Sequence, residues 1–167
     1  MKLWLRGLAI YVKVLGLESA GFILRVRWRL LAVRLRLMLE HSGSVAEVIA
    51  LLNSGYETLK PEILLPISIA RELKLFPPPT TAIVKEYTLA DGSTIHLIKI
   101  SRAVKASVLE DDRIVGPVEA DAVISEGAEE PLISDKLASK LNIAVLDFGE
   151  GIWCFRDEVG KRERKTY

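Results

Sequence analysis

Residues 49–58 read Ile-Ala-Leu-Leu-Asn-Ser-Gly-Tyr-Glu-Thr, and this stretch carries most of the information about the fold. Residues 45–52, which lead up to it, are nearly all apolar, as is typical of a strand covered on both faces. The step Asn53-Ser54-Gly55 then brings together three residue types that favour turns. A plain turn at the end of a strand is the simplest interpretation, and a functional loop is the alternative.

The pattern around this stretch predicts a chain made mainly of strands. The turn signal His41-Ser42-Gly43-Ser44 separates two apolar runs, so residues 33–52 are predicted to form a hairpin. A second hairpin is predicted from residues 82–90 and 94–100, around Asp91-Gly92-Ser93. Further strands are predicted near 103–109 and 118–125, and a last hairpin from 142–148 and 152–156.

Two short helices interrupt this strand pattern. Residues 66–73 predict one helix with Ser68 as its N-cap, and residues 134–141 predict another with Ser134 as its N-cap. Many short strands with only two short helices indicate a mainly β fold, and a small closed barrel is the expected architecture.

Basic residues are concentrated at the start of the chain. Residues 1–36 contain eight Lys and Arg against one acidic residue, whereas the whole chain has a net charge of +1. Alternation within residues 23–39 favours strands, and residues 3–17 fit a strand or a helix equally. We interpret residues 1–32 as a basic, apolar N-terminal extension and 157–167 as a charged tail that is expected to be frayed. The basic extension suggests nucleic acid or another anionic surface as one alternative partner.

Composition indicates the cellular compartment and the kind of source organism. No uncharged run reaches the roughly 18 residues that a membrane helix needs, and no signal-peptide pattern is present, so a cytoplasmic protein is expected. Glutamine is absent and only two asparagines occur, among many charged residues, which is typical of proteins from hyperthermophiles. Cys154 is the only cysteine, so it can form no disulfide within the chain.

Neither a metal centre nor a cofactor site is predicted. His41 and His96 are isolated in the sequence and fit surface or hydrogen-bonded positions, and Cys154 fits a small core residue. No spacing of His, Asp and Glu suits a metal, and no phosphate-binding or dinucleotide motif occurs. The acidic pairs Asp111-Asp112 and Glu129-Glu130 are interpreted as loop charges.

The stretch around Asn53 resembles the active-site segment of retropepsin-like (clan AA) aspartic peptidases, in which an apolar strand runs into Asp-Thr/Ser-Gly-Ala. The order of the later elements is also similar: a short helix, a hairpin in the flap position, and the apolar pair Leu132-Ile133 before a second helix. The resemblance covers about residues 33–156. It implies an acid-protease-like barrel, a homodimer with one motif from each subunit, and a groove for extended peptides under the flap.

The sequence departs from that family at three positions. Asn53 stands where the family has its catalytic aspartate, and an amide cannot act as a general base near neutral pH. The chemistry needs two carboxylates that share a proton, and a symmetric dimer of this chain would present two amides instead. Tyr56 replaces a small residue, and Ser134 replaces a glycine. The three departures together indicate a site that diverged long ago.

Three functions are put forward as hypotheses. The first is a catalytically inactive homodimer that binds extended peptides, with Asn53, Ser54 and Gly55 as the degenerate site and Tyr56 and the Asp91-Gly92-Ser93 tip as substrate-binding candidates. The second is an active endopeptidase that uses Glu57, Asp147 or an Asn53 deamidated to aspartate. The third is a binder of nucleic acid or an anionic surface through the basic N-terminal segment.

Overall fold

The computed structural model of this chain describes residues 32–89 and 91–167, and these are mainly β, as the sequence predicts. The first half contains five strands and one helix: β1 (Arg34–His41), β2 (Ser44–Leu52), β3 (Glu62–Pro66), α1 (Ile67–Glu72), β4 (Ile83–Thr88) and β5 (Thr94–Leu109). The second half contains β6 (Ile114–Ser125), β7 (Leu132–Ile133), α2 (Asp135–Lys140), β8 (Ile143–Asp147), β9 (Ile152–Phe155), a 3₁₀ helix (Arg156–Glu158) and β10 (Arg164–Lys165).

Seven of these strands form one sheet that closes on itself. Their order is β1-β2-β7-β3-β6-β5-β4, and β1 also pairs with β5. Six strands therefore form a ring, and β4 lies outside the ring, paired only with β5. The strands β10, β9 and β8 form a second, smaller sheet. The sequence predicts a small closed barrel, and the structure shows the coarser feature, a mainly β chain with a ring-like sheet.

The predicted hairpin of residues 33–52 is confirmed as β1 and β2, and its alternation explains the core. Leu35, Leu37 and Leu39 of β1 are fully buried, whereas Arg34 and Arg36 point to the other face of the strand. Burying each leucine contributes roughly 1.5–3 kcal/mol. A slip of one residue in the register would move all of these leucines to the solvent face, so the alternation fixes the register.

The second predicted hairpin is also present, but its second strand is longer than expected. Thr94–Leu109 is one continuous strand, whereas the sequence predicts separate strands at 94–100 and 103–109. The predicted break coincides with a shift in the register between Ile100 and Val104. Arg102 has a φ of +51° there, and its N–H donates to Asp121 Oδ1 at 2.8 Å. The break is thus a β-bulge, which bends the strand without ending it.

The two short helices are present, but only one predicted cap is correct. Ser134 caps α2, because its side chain accepts a hydrogen bond from the N–H of Leu137. The prediction of Ser68 as the cap of α1 is wrong. That helix starts directly from β3 with Pro66 in the cap position, and Pro66 makes no side-chain capping bond. Ser68 therefore lies inside the first turn, where its side chain is exposed.

The prediction of a frayed C-terminal tail is also wrong. Arg164 pairs with Trp153 in a short strand ladder, and the N–H of Thr166 donates to the carbonyl of Gly151. The N–H of Arg34 donates to the Thr166 hydroxyl at 2.8 Å, which ties the tail to the start of β1. The many charges of this segment are paired within the fold, and for that reason they do not keep it in solvent.

The predictions for residues 1–31, including the strands at 23–31, lie outside the described residues. Among the described residues, no helix is long and apolar enough to cross a membrane.

Candidate functional site

The Asn53 loop, defined as residues 53–56, begins where β2 ends. At this point β2 lies beside β7 in parallel, with Leu52 opposite Ile133. The N–H of Asn53 donates to the carbonyl of Ile133 at 3.3 Å, and the N–H of Tyr56 donates to the carbonyl of Asn53 at 3.0 Å. Asn53 Oδ1 accepts from the N–H of Gly55 at 3.0 Å. The loop is therefore a turn that the Asn53 side chain itself stabilises.

The loop presents an amide and no carboxylate. Within the described ranges, no Asp or Glu side chain is hydrogen-bonded to the Asn53 side chain. Glu57 is exposed beyond the loop, and Asp147 accepts from the N–H of Glu150 in the turn between β8 and β9. Neither of the two carboxylates that the sequence suggests as substitutes forms a hydrogen bond with Asn53.

The other two departures, Tyr56 and Ser134, meet at one buried residue, Glu62. The Tyr56 hydroxyl donates to Glu62 Oε2 at 3.1 Å. The Ser134 hydroxyl accepts from the N–H of Glu62 at 3.1 Å, and the N–H of Ser134 donates to the carbonyl of Glu62 at 3.1 Å. Tyr56 and Ser134 lie on different segments but bind the same glutamate. Tyr56 binds the Glu62 carboxylate, and Ser134 binds the Glu62 backbone.

Glu62 is the centre of a buried polar group, which we call the Glu62 cluster. Glu62, Lys99 and Asp121 are 1 %, 8 % and 3 % exposed. Lys99 Nζ donates to Glu62 Oε1 and lies 2.8 Å from Asp121 Oδ2. Glu62 and Asp121 are partners in the parallel pairing of β3 with β6. The remaining members are Tyr56, Lys85 and Tyr87, whose side chains all donate to the Glu62 carboxylate.

Electrostatics fix the protonation state of this cluster. Burial raises the pKa of the Glu62 and Asp121 carboxyls, but several contributions together outweigh burial and hold both pKa values below their ordinary range. These are the hydrogen bond and charge of Lys99 at both groups, the Tyr87 hydroxyl and the Lys85 charge at Glu62, and the Arg102 N–H at Asp121. Burial lowers the pKa of Lys99, and its bonds to Asp121 and Glu62 reverse that effect and raise it. The pKa of Tyr56 is raised by burial and by the charge of Glu62, so its hydroxyl stays a donor. Neither carboxylate is therefore a free base.

The tip of the β4–β5 hairpin is a self-contained turn. Asp91 Oδ1 accepts from the N–H of Ser93 at 2.9 Å and from its hydroxyl at 2.6 Å, and Gly92 has a φ of +80°. These two bonds lower the pKa of the exposed Asp91 carboxyl. The tip makes no hydrogen bond to the Asn53 loop among the described residues. Tyr87, on β4, contacts that loop instead, with its ring centroid 6.3 Å from that of Tyr56.

Two arginines of the basic residues 1–36, Arg34 and Arg36, lie in the described part of the chain, and both form contacts within the domain. Arg34 forms two hydrogen bonds to the Glu130 carboxylate, at 2.9 and 3.1 Å. Arg36 donates to Asp111 at 3.2 Å and its guanidinium lies 5.3 Å from the centre of the Tyr167 ring. These contacts compete with any phosphate for the same donors. The rest of the basic segment lies outside the described residues.

The isolated histidines and the cysteine are where the sequence predicts them. His41 Nδ1 lies 2.5 Å from the carbonyl of Ala103, and His96 is exposed, 3.6 Å from Glu86. Cys154 is buried, and burial raises the pKa of its thiol. In the part of the chain that the structure describes, no three His, Cys, Asp or Glu residues converge as metal ligands do.

The sequence analysis missed the Glu62 cluster, although the sequence contains a signal for it. Lys99 lies between Ile98 and Ile100, and Asp121 lies between two alanines. A charge flanked on both sides by apolar residues of a strand indicates a buried charge, and a buried charge requires a partner of opposite sign. Sequence alone does not show which strands lie side by side, so it does not identify the partners.

No protein-family model matches this chain, and no curated protein is recognisably similar to it in sequence. The function must therefore be inferred from the geometry of the site.

Proposed function

We propose that this protein is a retropepsin-like domain that no longer hydrolyses peptides and instead binds an extended peptide beside the Asn53 loop. The observation that carries the proposal is the chemistry of that loop, where an amide occupies the position of the expected carboxylate. Every buried carboxylate nearby is bound to lysine or tyrosine donors. Hydrolysis at this loop therefore lacks a general base.

The arrangement of the elements supports the retropepsin-like part of the proposal. An apolar strand leads into the Asn53 loop, and the pair Leu132-Ile133 lies beside it before a short helix. A hairpin lies against the residue that ends the loop, through Tyr87 and Tyr56. These are the elements, in the order, that the resemblance implies. The homodimer belongs to the same proposal, because the resemblance places two such loops together across a two-fold axis.

A free strand edge supports the peptide-binding part of the proposal. Strand β4 pairs with β5 only, so among the described residues its other edge has no partner strand. Ile83 and Val84 of this strand are 54 % and 69 % exposed. An edge strand with exposed apolar side chains accepts a further strand, whose backbone provides affinity and whose side chains provide specificity. A peptide paired with β4 would lie close to the Asn53 loop.

The test is a binding experiment that uses a matched pair of variants. Fluorescent peptides from a digest of denatured casein serve as the probe, and binding is measured by anisotropy. Val84→Lys places on the free edge a lysine of the kind that natural edge strands use against strand addition. Val45→Lys changes a valine on β2 that is 55 % exposed and serves as the control. We expect Val84→Lys to weaken binding about tenfold or more and Val45→Lys to leave it unchanged.

Two results would contradict the proposal. One is that the unmodified protein binds no peptide of the digest, and the other is that both variants bind as well as the unmodified protein.

A further inference from the structure

We propose that the Glu62 carboxylate is a latch that holds the β4–β5 hairpin closed against the Asn53 loop, so that a peptide paired with the outer edge of β4 reaches the loop only when the hairpin lifts. The role in peptide entry rests on the proposed function. The latch itself is a property of the fold, which is tested separately below.

The latch joins two parts of the molecule that no shared strand ladder connects. Glu62 is at the start of β3, and among the described residues β3 pairs with β6 and β7 but not with β4 or β5. Two side chains of β4 nevertheless bind its carboxylate. The Tyr87 hydroxyl lies 3.0 Å from Oε2, and Lys85 Nζ lies 3.4 Å from Oε1. Strand β4 is thus held in two ways. Its backbone pairs with β5, and its Lys85 and Tyr87 side chains bind Glu62.

The four side chains that donate to Glu62 fall into two groups, one that would move with β4 and one that would stay in place. Lys99 and Tyr56 bind Glu62 from β5 inside the ring and from the Asn53 loop. Tyr87 and Lys85 bind it from β4, which lies outside the ring. Lifting β4 removes two of the four donors and leaves the other two in place. Glu62 then remains paired with Lys99, so opening leaves no unpaired buried charge.

In the closed state, side chains of the hairpin and of the Asn53 loop are in direct contact. The rings of Tyr56 and Tyr87 meet edge to face at an angle of 64°. Lys85 Nζ lies 4.7 Å from the centre of the Tyr87 ring, so it covers that ring. Tyr56 also accepts at its carbonyl from the N–H of Asp135, which fixes the loop to the start of α2. Movement of the hairpin therefore changes the contacts of the loop directly.

Hydrogen–deuterium exchange of the hairpin amides tests the latch without any peptide. Tyr87→Phe keeps the ring and removes only the hydroxyl that binds Glu62. Tyr167→Phe is the matched control, because its hydroxyl donates to Glu110 at 3.0 Å elsewhere in the fold. We expect Tyr87→Phe to accelerate exchange of the amides of residues 83–89 about tenfold, with no change in β2. Lys85→Met, which removes the other β4 donor, should act in the same direction.

The outcomes separate the latch from the proposed function. Unchanged hairpin exchange in both Tyr87→Phe and Lys85→Met, or equal acceleration in Tyr167→Phe, would overturn the latch whether or not peptides bind. Faster hairpin exchange together with tighter binding of the casein peptides supports the latch and its role in entry. Faster hairpin exchange with no peptide bound by any of the proteins would leave the latch established and contradict the proposed function.

Discussion

Lys99 pairs with two carboxylates at once, and the stability of the site depends strongly on this side chain. It is 8 % exposed and binds both Glu62 and Asp121. A buried charge without a partner costs several kcal/mol, and so Lys99 cannot be replaced by an apolar residue without leaving two buried anions close together. The same side chain anchors the glutamate to which Tyr56 and Tyr87 bind.

Lys99→Met should therefore destabilise the protein by about 3 kcal/mol or more, because it removes one partner from a buried ion pair. The free energy of unfolding in guanidinium chloride measures this effect. Lys105→Met, on the exposed face of the same strand, is the control and should change stability by less than about 0.5 kcal/mol. Similar values for the two variants would show that the Glu62 cluster does not stabilise the fold.

Asn53 and its neighbours show how far a short motif can be interpreted. The residues predict a loop at the end of a buried strand, and that loop is present. The same residues also fit a plain turn, and the hydrogen bond from Gly55 to the Asn53 side chain is one that such a turn would make. The motif does not reveal where Tyr56 points, because its partner Glu62 is fixed by the packing of β3 against β6 and β7.

At the scale of the elements, the C-terminal segment is held by one arginine. Arg164 uses all five of its N–H groups, binding Glu158 and Asp112 in two-pronged pairs and Glu110 through one further bond. Its guanidinium also lies 4.9 Å from the centre of the Phe155 ring. These contacts raise the pKa of Arg164 and lower that of Asp112. The tail is consequently a structural part of the second sheet.

Arg164→Met should destabilise the protein by about 3 kcal/mol, since it removes the two closest ion-pair contacts of the buried Glu158 and leaves it only Arg113 at 3.6 Å. Thermal unfolding followed by circular dichroism measures the change. Arg162→Met removes an exposed arginine that binds Asp112 in the same network, and it should cost no more than about 1 kcal/mol. If the Arg164 variant unfolds at the same temperature as the unmodified protein, the tail does not contribute to stability as described.

Hairpins and helices are predictable from the sequence because their signals are local. Alternation in 33–52, the Asp91-Gly92 turn and the cap at Ser134 each depend on a few neighbouring residues. Two of the errors have non-local causes. The many charges of the tail suggest fraying, and only the folded chain brings Asp112 and Glu110 to Arg164. The sequence indicates a break near Arg102. Only the pairing of β5 with β6 shows that this break is a bulge within one strand.

At the scale of the whole molecule, the ring of six strands places the Asn53 loop, the hairpin and the start of α2 next to one another. The closure of β1 on β5 and the parallel neighbours β2 and β7 bring segments from residues 53, 87 and 134 to the same place. Under the proposed function, this place corresponds to the peptidase site that the resemblance implies, and it holds an amide, two tyrosines and a glutamate paired with lysine. On this account the protein binds peptides and does not cut them.

An assay of casein cleavage between pH 3 and 7 at elevated temperature tests that central claim most directly. The unmodified chain and Asn53→Asp are compared, and peptide mapping confirms that residue 53 of the unmodified chain is still asparagine. We expect no cleavage by the unmodified chain and cleavage in acid by Asn53→Asp, since the substitution restores the carboxylate that the chemistry requires. Cleavage by an unmodified chain whose Asn53 is intact would contradict the account.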